Sequence, residues 1–264
     1  MGYGLTVTYS GVWKVISASV AGTGHVRAGL PCQDAHDCLV LPRGLLLIAV
    51  ADGAGSAQYG QLGASLAVES SLRFCAEQAE GLHEELQVQK HLIGGLCAAR
   101  ERLEHEAETQ QVELRELACT LLLVAATPRF VAAAQIGDGT SVGLFPNDTL
   151  RTLTRPPQTE YVNETLFLTS SSSLEAAQFV FQPEAPWGIA VTTDGLQRLA
   201  LKLPQGEPHA PFFLPLFRFA ANTGSDSRQQ LENFLRSPRI AERTDDDLTL
   251  VLAVRRCEPH GRTS

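Results

Sequence analysis

Short runs of consecutive apolar residues, separated by polar and glycine-rich turns, recur along this chain and predict buried β-strands. The run Leu45–Ala51 stops at Asp52-Gly53, and the run 189–193 stops at Asp194-Gly195. A third run, 248–254, follows three consecutive aspartates. The other predicted strands are Trp13–Val20, 117–126, 130–136, 142–145 and 179–181.

Helical patterns occupy separate stretches of the sequence. A stripe of small residues at helical spacing predicts a helix over 57–79, and a second helix is predicted over 83–113. The pair Gly94-Gly95 in the second helix predicts a kink or a close helix contact. Residues 195–237 look helical but are broken by prolines, and 21–37 is predicted as a polar loop. Because strands and helices form groups rather than alternating, the pattern favours an α+β fold with antiparallel sheets.

Length and composition narrow the class of protein. The 264 residues contain no polar linker, so a single domain over 1–256 is expected, followed by a disordered tail at 257–264. The net charge of −8 without a basic block disfavours nucleic-acid binding. No apolar stretch approaches the roughly 20 residues of a membrane helix, so no membrane association is expected. The six cysteines lack paired spacing, which favours a reduced, cytoplasmic protein.

Three carboxylates lie at the ends of predicted apolar strands, and they are the candidate metal ligands. Asp52 and Asp194 end apolar strands, and Asp246 begins one. A carboxylate at the edge of a buried strand is costly to desolvate unless it is paired or binds a cation. The alternative is that Asp-Gly is a common turn dipeptide. All-oxygen ligands suit Mg²⁺ or Mn²⁺, and two such ions can activate water for attack on phosphorus.

Gly53 follows the first of these carboxylates and is a candidate ligand in its own right. A residue without a Cβ lets its carbonyl oxygen approach a metal closely. The alternative is that Gly53 only forms the turn.

The order and spacing of six motifs resemble the metal-dependent serine/threonine protein phosphatases of type 2C, in particular a bacterial branch. The resemblance spans residues 15–255. The motifs are Cys32-Gln33-Asp34-Ala35, Val50-Ala51-Asp52-Gly53-Ala54-Gly55, Ala118-Cys119-Thr120, Ile136-Gly137-Asp138-Gly139, Val191-Thr192-Thr193-Asp194-Gly195 and Asp246-Asp247-Leu248-Thr249. The resemblance implies a four-layer αββα sandwich, in which two packed antiparallel sheets are flanked by helices.

The resemblance also implies a centre of two Mn²⁺ or Mg²⁺ ions between the sheets. Asp52 matches the carboxylate that bridges both ions, and Gly53 matches the carbonyl ligand of the second ion. Asp194 and Asp246 match the remaining ligands of the first ion, and Asp34 matches a ligand acting through water.

Three positions depart from the family pattern. Gln33 stands where the family has Glu, so it is a weaker candidate ligand of the second ion. Ala54 stands where many eukaryotic members have a His that protonates the leaving group. Asp247 stands where the motif has Asn, and its extra charge either tightens cation binding or lies solvated at the start of the strand.

Phosphate recognition and a third ion have candidate residues. Arg27 and His25 precede the first acidic motif and could bind phosphate, with an exposed loop position as the alternative. Glu116 could approach the third metal site of bacterial members, or be an exposed loop carboxylate. Asp138 is expected to brace a turn. Residues 155–168 fall where the family carries a variable flap.

The leading hypothesis is hydrolysis of phosphoserine and phosphothreonine in proteins by attack of a metal-bound hydroxide, with Asp52 and Asp34 as catalytic residues. Such an enzyme implies phosphoprotein substrates and a cognate protein kinase. One alternative is a catalytically weak or silent binding module, favoured by Gln33 and Ala54. Another is a hydrolase of small phosphoesters.

Overall fold

Two antiparallel sheets pack face to face between two layers of helices. The computed structural model describes residues 8–10, 12–156, 165–222 and 224–256. The tail at 257–264 and flap residues 157–164 lie outside the described residues.

The described residues form strands and helices whose bounds are as follows. The strands are β1 (Thr8–Ser10), β2 (Trp13–Val20), β3 (Ala35–Leu41), β4 (Leu45–Ala51), β5 (Leu121–Ala126), β6 (Val131–Ile136), β7 (Thr140–Phe145), β8 (Thr149–Thr154), β9 (Gln178–Gln182), β10 (Gly188–Thr192), β11 (Leu201–Lys202), β12 (Glu207–Pro208) and β13 (Leu248–Arg255). The helices are α1 (Thr23–Ala28), α2 (Gly60–Glu77), α3 (Glu85–Gln110), α4 (Gln197–Ala200), α5 (Ala210–Asn222), α6 (Ser227–Leu235) and α7 (Pro238–Ala241).

The strand order explains why the central strands are apolar on both faces. One sheet runs β3-β4-β5-β6-β9 and the other β1-β2-β13-β10-β7-β8. On β4, Leu46 and Ile48 point into the core between the sheets, whereas Leu47 and Ala49 pack against the α2–α3 layer. On β13 the same alternation places Leu250 and Leu252 against helices α4–α7. The predicted α+β four-layer sandwich is confirmed.

Two segments differ from the predictions. The predicted loop 21–37 contains α1 and the start of β3. Helix α1 is only six residues long and buries none of them, so it has no apolar periodicity to predict it from. The predicted helical stretch 195–237 contains the short hairpin β11–β12 between α4 and α5. No helix among the described residues has the length and apolarity needed to cross a membrane.

The two glycines of α3 make a close helix contact. The helix runs unbroken from Glu85 to Gln110. A Cβ at Gly94 would lie 2.6 Å from the ring of Phe74, and one at Gly95 would lie 2.8 Å from Sγ of Cys75, both on α2. The contact alternative is therefore confirmed, and the kink is not seen.

Replacing Gly63 with alanine is expected to destabilise the fold by about 1–3 kcal/mol. Alanine has the better helix propensity by about 1 kcal/mol, but a Cβ at Gly63 would overlap the backbone carbonyl of Leu117, which cannot rotate away. Chemical denaturation measures the loss. Gly55→Ala is the matched control, because a Cβ there meets nothing within 4 Å. Equal stabilities of the two variants would contradict the packing argument.

Candidate active site

Asp52 follows the last residue of β4, and hydrogen bonds to Thr120 hold its backbone in place. Its main-chain N–H donates to Oγ1 of Thr120 at 3.0 Å, and its carbonyl accepts from the N–H of Thr120 at 2.8 Å. Gly53 then pairs with Cys119 in an isolated antiparallel bridge. A Cβ on Gly53 would lie 2.5 Å from the backbone of Gly60 and 2.9 Å from the carbonyl oxygen of Gln33. Only glycine therefore fits beside Asp52.

Asp34 joins the two sheets at the cleft. It is buried just before β3, and its Oδ2 accepts hydrogen bonds from the hydroxyls of Thr193 at 2.9 Å and Thr249 at 2.7 Å. Thr193 follows β10 and Thr249 lies on β13, both in the opposite sheet. Burial raises the pKa of Asp34, and the two hydroxyl groups oppose that rise.

A chain of hydrogen bonds extends from Asp34 to His36. Because Thr249 donates its hydroxyl to Asp34, its oxygen must accept from Ser19, which lies 2.6 Å away. Ser19 in turn accepts from Nδ1 of His36 at 2.7 Å, so the proton of this imidazole sits on Nδ1. Burial lowers the pKa of His36 to about 4, which keeps the ring neutral at pH 7.

Ser19→Ala is expected to lower the free energy of unfolding by about 1–3 kcal/mol, because the Nδ1–H of His36 loses its buried acceptor. Urea denaturation measures this, and Ser17→Ala on the same strand is the matched control. Nitrogen NMR of His36 at pH 7 should show the Nδ1–H tautomer. A protonated imidazolium at that pH would contradict the assignment.

Asp194, Asp246 and Asp138 complete a group of acidic side chains with Asp34 and Asp52, here called the carboxylate cluster. Burial is the largest cause that raises the pKa of Asp52, followed by the charges of the four other members. Burial, then the charges of Asp138, Asp246 and Asp34, raise the pKa of Asp194 to about 7. The structure therefore gathers like charges that repel one another in a poorly hydrated cleft.

Two buried side-chain oxygens at Gln33 and Asp34 lack a hydrogen-bond partner among the described residues. They are Oε1 of Gln33 and Oδ1 of Asp34. Buried acceptors without donors are rare and call for a ligand, water or ion. Among the described residues, no three His, Cys, Asp or Glu side chains form a ready-made metal-binding group. The unpaired oxygens, the mutual repulsion and the all-oxygen donor set nevertheless fit a hard divalent cation.

Asp247 ties the segment before Asp34 to the start of β13. Its side chain is 2% exposed. Its Oδ1 accepts from the N–H of Gly22 at 2.7 Å and from Nδ1 of His25 at 2.9 Å. Its Oδ2 accepts from the N–H of Gln33 at 2.6 Å. The suggestion that Asp247 is a solvated charge is therefore wrong, and His25 is occupied by this contact.

Arg27 and Glu116, the remaining predicted residues, make contacts outside the carboxylate cluster. Arg27 is exposed on α1, where its guanidinium donates to Oγ1 of Thr23 at 3.3 Å. Glu116 accepts the N–H of Gln58 at 3.1 Å and so braces the loop after Gly53. Among the charges that raise the pKa of Asp194, that of Asp138 has the largest effect, and Glu116 is not one of them.

The prediction that Asp138 braces a turn is confirmed, because its Oδ2 accepts from the hydroxyl of Thr165 at 2.7 Å. Asp138 also lies between β6 and β7 at the cleft, where it acts electrostatically on Asp194 and Asp52. The signal was present, since the apolar run of β6 ends in Gly-Asp-Gly much as the runs before Asp52 and Asp194 end in Asp-Gly.

Comparison with known proteins identifies the family. The family model of protein phosphatase 2C matches residues 21–236. The chain belongs to the protein phosphatase 2C family. Serine/threonine-protein phosphatase 3 of Escherichia coli (strain K12) is 36% identical over 251 residues, which cover 92% of this chain and 98% of that protein.

Solved structures share the protein phosphatase 2C fold. Serine/threonine phosphatase Stp1 from Staphylococcus aureus superposes with a TM-score of 0.65 at 14% identity, covering 97% of this chain and 100% of that one. PppA of Pseudomonas aeruginosa, a key regulatory component of T6SS, gives 0.63 at 20% identity, covering 95% and 99%. At these identities the likeness establishes the fold, and the family resemblance drawn from the six motifs is confirmed.

Proposed function

We propose that this chain removes phosphate from phosphoserine and phosphothreonine in proteins with the help of bound Mn²⁺ or Mg²⁺. The observation that carries the proposal is the carboxylate cluster beside two buried, unpartnered oxygens. Without positive charge, this arrangement is costly. Membership in a phosphatase family and a relative named as a serine/threonine phosphatase support the reaction class.

The residues that would hold two cations follow the family pattern. Asp52 would bind both ions, Asp194 and Asp246 would complete the first, and the carbonyl of Gly53 would serve the second. Asp34 would act through water, with Gln33 Oε1 beside it. Bound cations would stabilise the negative charge on the phosphoryl oxygens. They would also lower the pKa of a water molecule. For a third cation, the pair Asp138 and Asp194 is better supported than Glu116, which is engaged by Gln58.

The chain's own residues shape the rest of the reaction. The hydroxyls of Thr193 and Thr249 fix the orientation of Asp34, so that its Oδ1 remains available. Ala54 offers no proton to a leaving group, so either water would protonate the departing alkoxide or the enzyme would prefer leaving groups that need no proton. Arg27 is the exposed cation that could meet the phosphate dianion. The implied partners are phosphoproteins and the kinase that phosphorylates them.

The test is phosphate release from p-nitrophenyl phosphate, a nucleoside monophosphate and a phosphothreonine peptide, with Mn²⁺, with Mg²⁺ or with chelator. Metal-dependent turnover of the peptide supports the proposal, and faster turnover of the nucleotide favours a small-phosphoester hydrolase. Calorimetric titration with Mn²⁺ gives a second readout. Metal binding without turnover of any substrate would favour the silent binding module suggested by Gln33 and Ala54.

A further inference from the structure

Gln135 is a polar side chain in the apolar core between the two sheets, next to the turn that carries Asp138. It lies on β6 and is 1% exposed. Side chains alternate along a strand, and Val131 and Ala133, on the same face of β6, belong to the core between the sheets. An apolar residue would fill this position without burying a polar group, so the amide calls for an explanation.

The amide group of Gln135 holds both ends of the turn. Its Nε2 donates to the carbonyl of Gly137 at 2.9 Å and to the carbonyl of Gly139 at 2.9 Å. Because both partners are acceptors, the nitrogen and not the oxygen of the amide faces them. The two glycines flank Asp138, so one buried side chain fixes the backbone on both sides of this carboxylate.

The same amide leaves its own oxygen without a partner. Oε1 of Gln135 is buried and accepts no hydrogen bond from any described residue. A buried acceptor without a donor costs free energy of folding. Residues that break the ordinary rules of core packing are expected where they serve a functional site.

The turn also packs closely against Thr120, which contacts the backbone of Asp52. Gly137 has φ +110°, a conformation that residues with a side chain rarely adopt, and a Cβ there would lie 2.5 Å from Cβ of Thr120. Oγ1 of Thr120 accepts from the N–H of Asp52 at 3.0 Å. Gly137 therefore lets the turn approach the residue that holds Asp52, and Gln135 keeps the turn there.

Asp138 is the carboxylate that this arrangement orients. After burial, its charge is the largest cause that raises the pKa of Asp194. Its Oδ2 accepts from the hydroxyl of Thr165, which leaves Oδ1 for another partner. Asp138 and Asp194 are the pair proposed above for a third cation.

We infer that Gln135 is a positioning residue, which fixes the turn so that Asp138 can share a cation with Asp194. The inference rests on the proposed function and adds to it a residue of the core that acts only through Asp138. A side chain that orients a metal ligand affects cation affinity without contacting the cation.

The first measurement is calorimetric titration of the full chain with Mn²⁺. Gln135→Met replaces the amide with an unbranched apolar side chain. It should weaken binding of the weakest-bound cation by about tenfold or more, as is typical when a group that orients a metal ligand is lost. The Mn²⁺ concentration that half-saturates hydrolysis of p-nitrophenyl phosphate should rise by a similar factor, with KM for that substrate at saturating Mn²⁺ unchanged. Gln135→Asn, whose shorter amide withdraws from both carbonyls, should show the same loss and replaces the methionine variant if that protein does not fold.

A double-mutant cycle shows whether Gln135 acts through Asp138. Asp138→Asn alone should weaken binding of the same cation. Adding Gln135→Met to it should have little further effect, because residues that act through one contact network are not additive. If the two losses multiply instead, Gln135 acts elsewhere and the inference is overturned.

Ser141→Ala is the matched structural control. Ser141 is fully buried on β7, where its hydroxyl contacts Oγ1 of Thr154 and accepts from the N–H of the same residue. The control should lower the thermal midpoint of chelator-treated protein without changing Mn²⁺ affinity. If Gln135→Met behaves in the same way, its role is only structural and the inference is wrong.

The wild-type titration separates this inference from the proposed function. Wild-type protein that binds no Mn²⁺ would overturn both. Mn²⁺ binding without turnover of any substrate would contradict the proposed function alone, and the affinities of the Gln135 variants would still support or overturn the positioning role.

Discussion

Asp52→Asn is expected to abolish phosphate release while making the metal-free protein more stable. Burial, and after it the charges of the four other members of the carboxylate cluster, raise the pKa of this side chain. Removing its charge relieves that repulsion, but it also removes the one carboxylate proposed to bind both cations. We expect a loss of about a thousandfold or more in kcat, comparable to the loss of a central electrostatic element in other active sites.

Two measurements check this prediction: metal-dependent hydrolysis of p-nitrophenyl phosphate and the thermal midpoint of protein treated with chelator. Asp148→Asn is the control, because it removes an exposed carboxylate whose ion pair with Arg218 is 3.4 Å long. It should change neither quantity. An Asp52→Asn protein that retains a tenth of the wild-type rate would exclude the bridging role of Asp52.

The second large effect is a dependence of stability on pH that divalent cations remove. The pKa of Asp194 is raised from an ordinary 3.8 to about 7, and those of Asp34 and Asp52 are also raised. A carboxyl group with a raised pKa in the folded state binds protons more tightly there than in the unfolded chain. The metal-free fold therefore loses stability as pH rises from about 4 through 7, the opposite of the change expected for a carboxylate in an ion pair.

The expected size is a few kcal/mol, since one unit of pKa shift corresponds to about 1.4 kcal/mol. For a chain of this length that amounts to roughly 10 °C in thermal midpoint. Midpoints measured with Mg²⁺ or chelator at pH 5 and pH 8 test it, and the cation should stabilise the protein much more at pH 8. Asp52→Asn should show a smaller difference. Equal stabilisation at both pH values would mean that the cation binds elsewhere.

The sequence predicts those strands and site residues that a short stretch of sequence is sufficient to identify. An apolar run such as Leu45–Ala51, bounded by turn residues, favours a strand covered on both faces, and a carboxylate at its end is costly unless it is compensated. Thus β4, β10 and β13 were predicted along with Asp52, Asp194 and Asp246. The site roles of these residues remain predictions, whereas the fold they sit on is established.

Other features depend on contacts that no local pattern encodes. Helix α1 has no apolar face, because tertiary hydrogen bonds to Asp245 and Asp247 stabilise it instead of buried side chains. The role of Asp247 is invisible locally, since its donors Gly22 and Gln33 lie more than 200 residues earlier in the chain. The sequence predicts the turn at Asp138 but not its electrostatic effect on Asp194, because a turn and a charged site use the same Gly-Asp-Gly sequence.

The link from Asp34 to Thr193 and Thr249 also has a consequence during synthesis on the ribosome. Asp34 is made early, but one of its two hydroxyl donors lies on the last strand, β13. Until residue 249 has left the exit tunnel and joined its sheet, Asp34 cannot be oriented and the cleft has only one wall. We therefore expect a nascent or truncated chain without β13, which lacks one central strand of the cleft wall, to be inactive as a phosphatase.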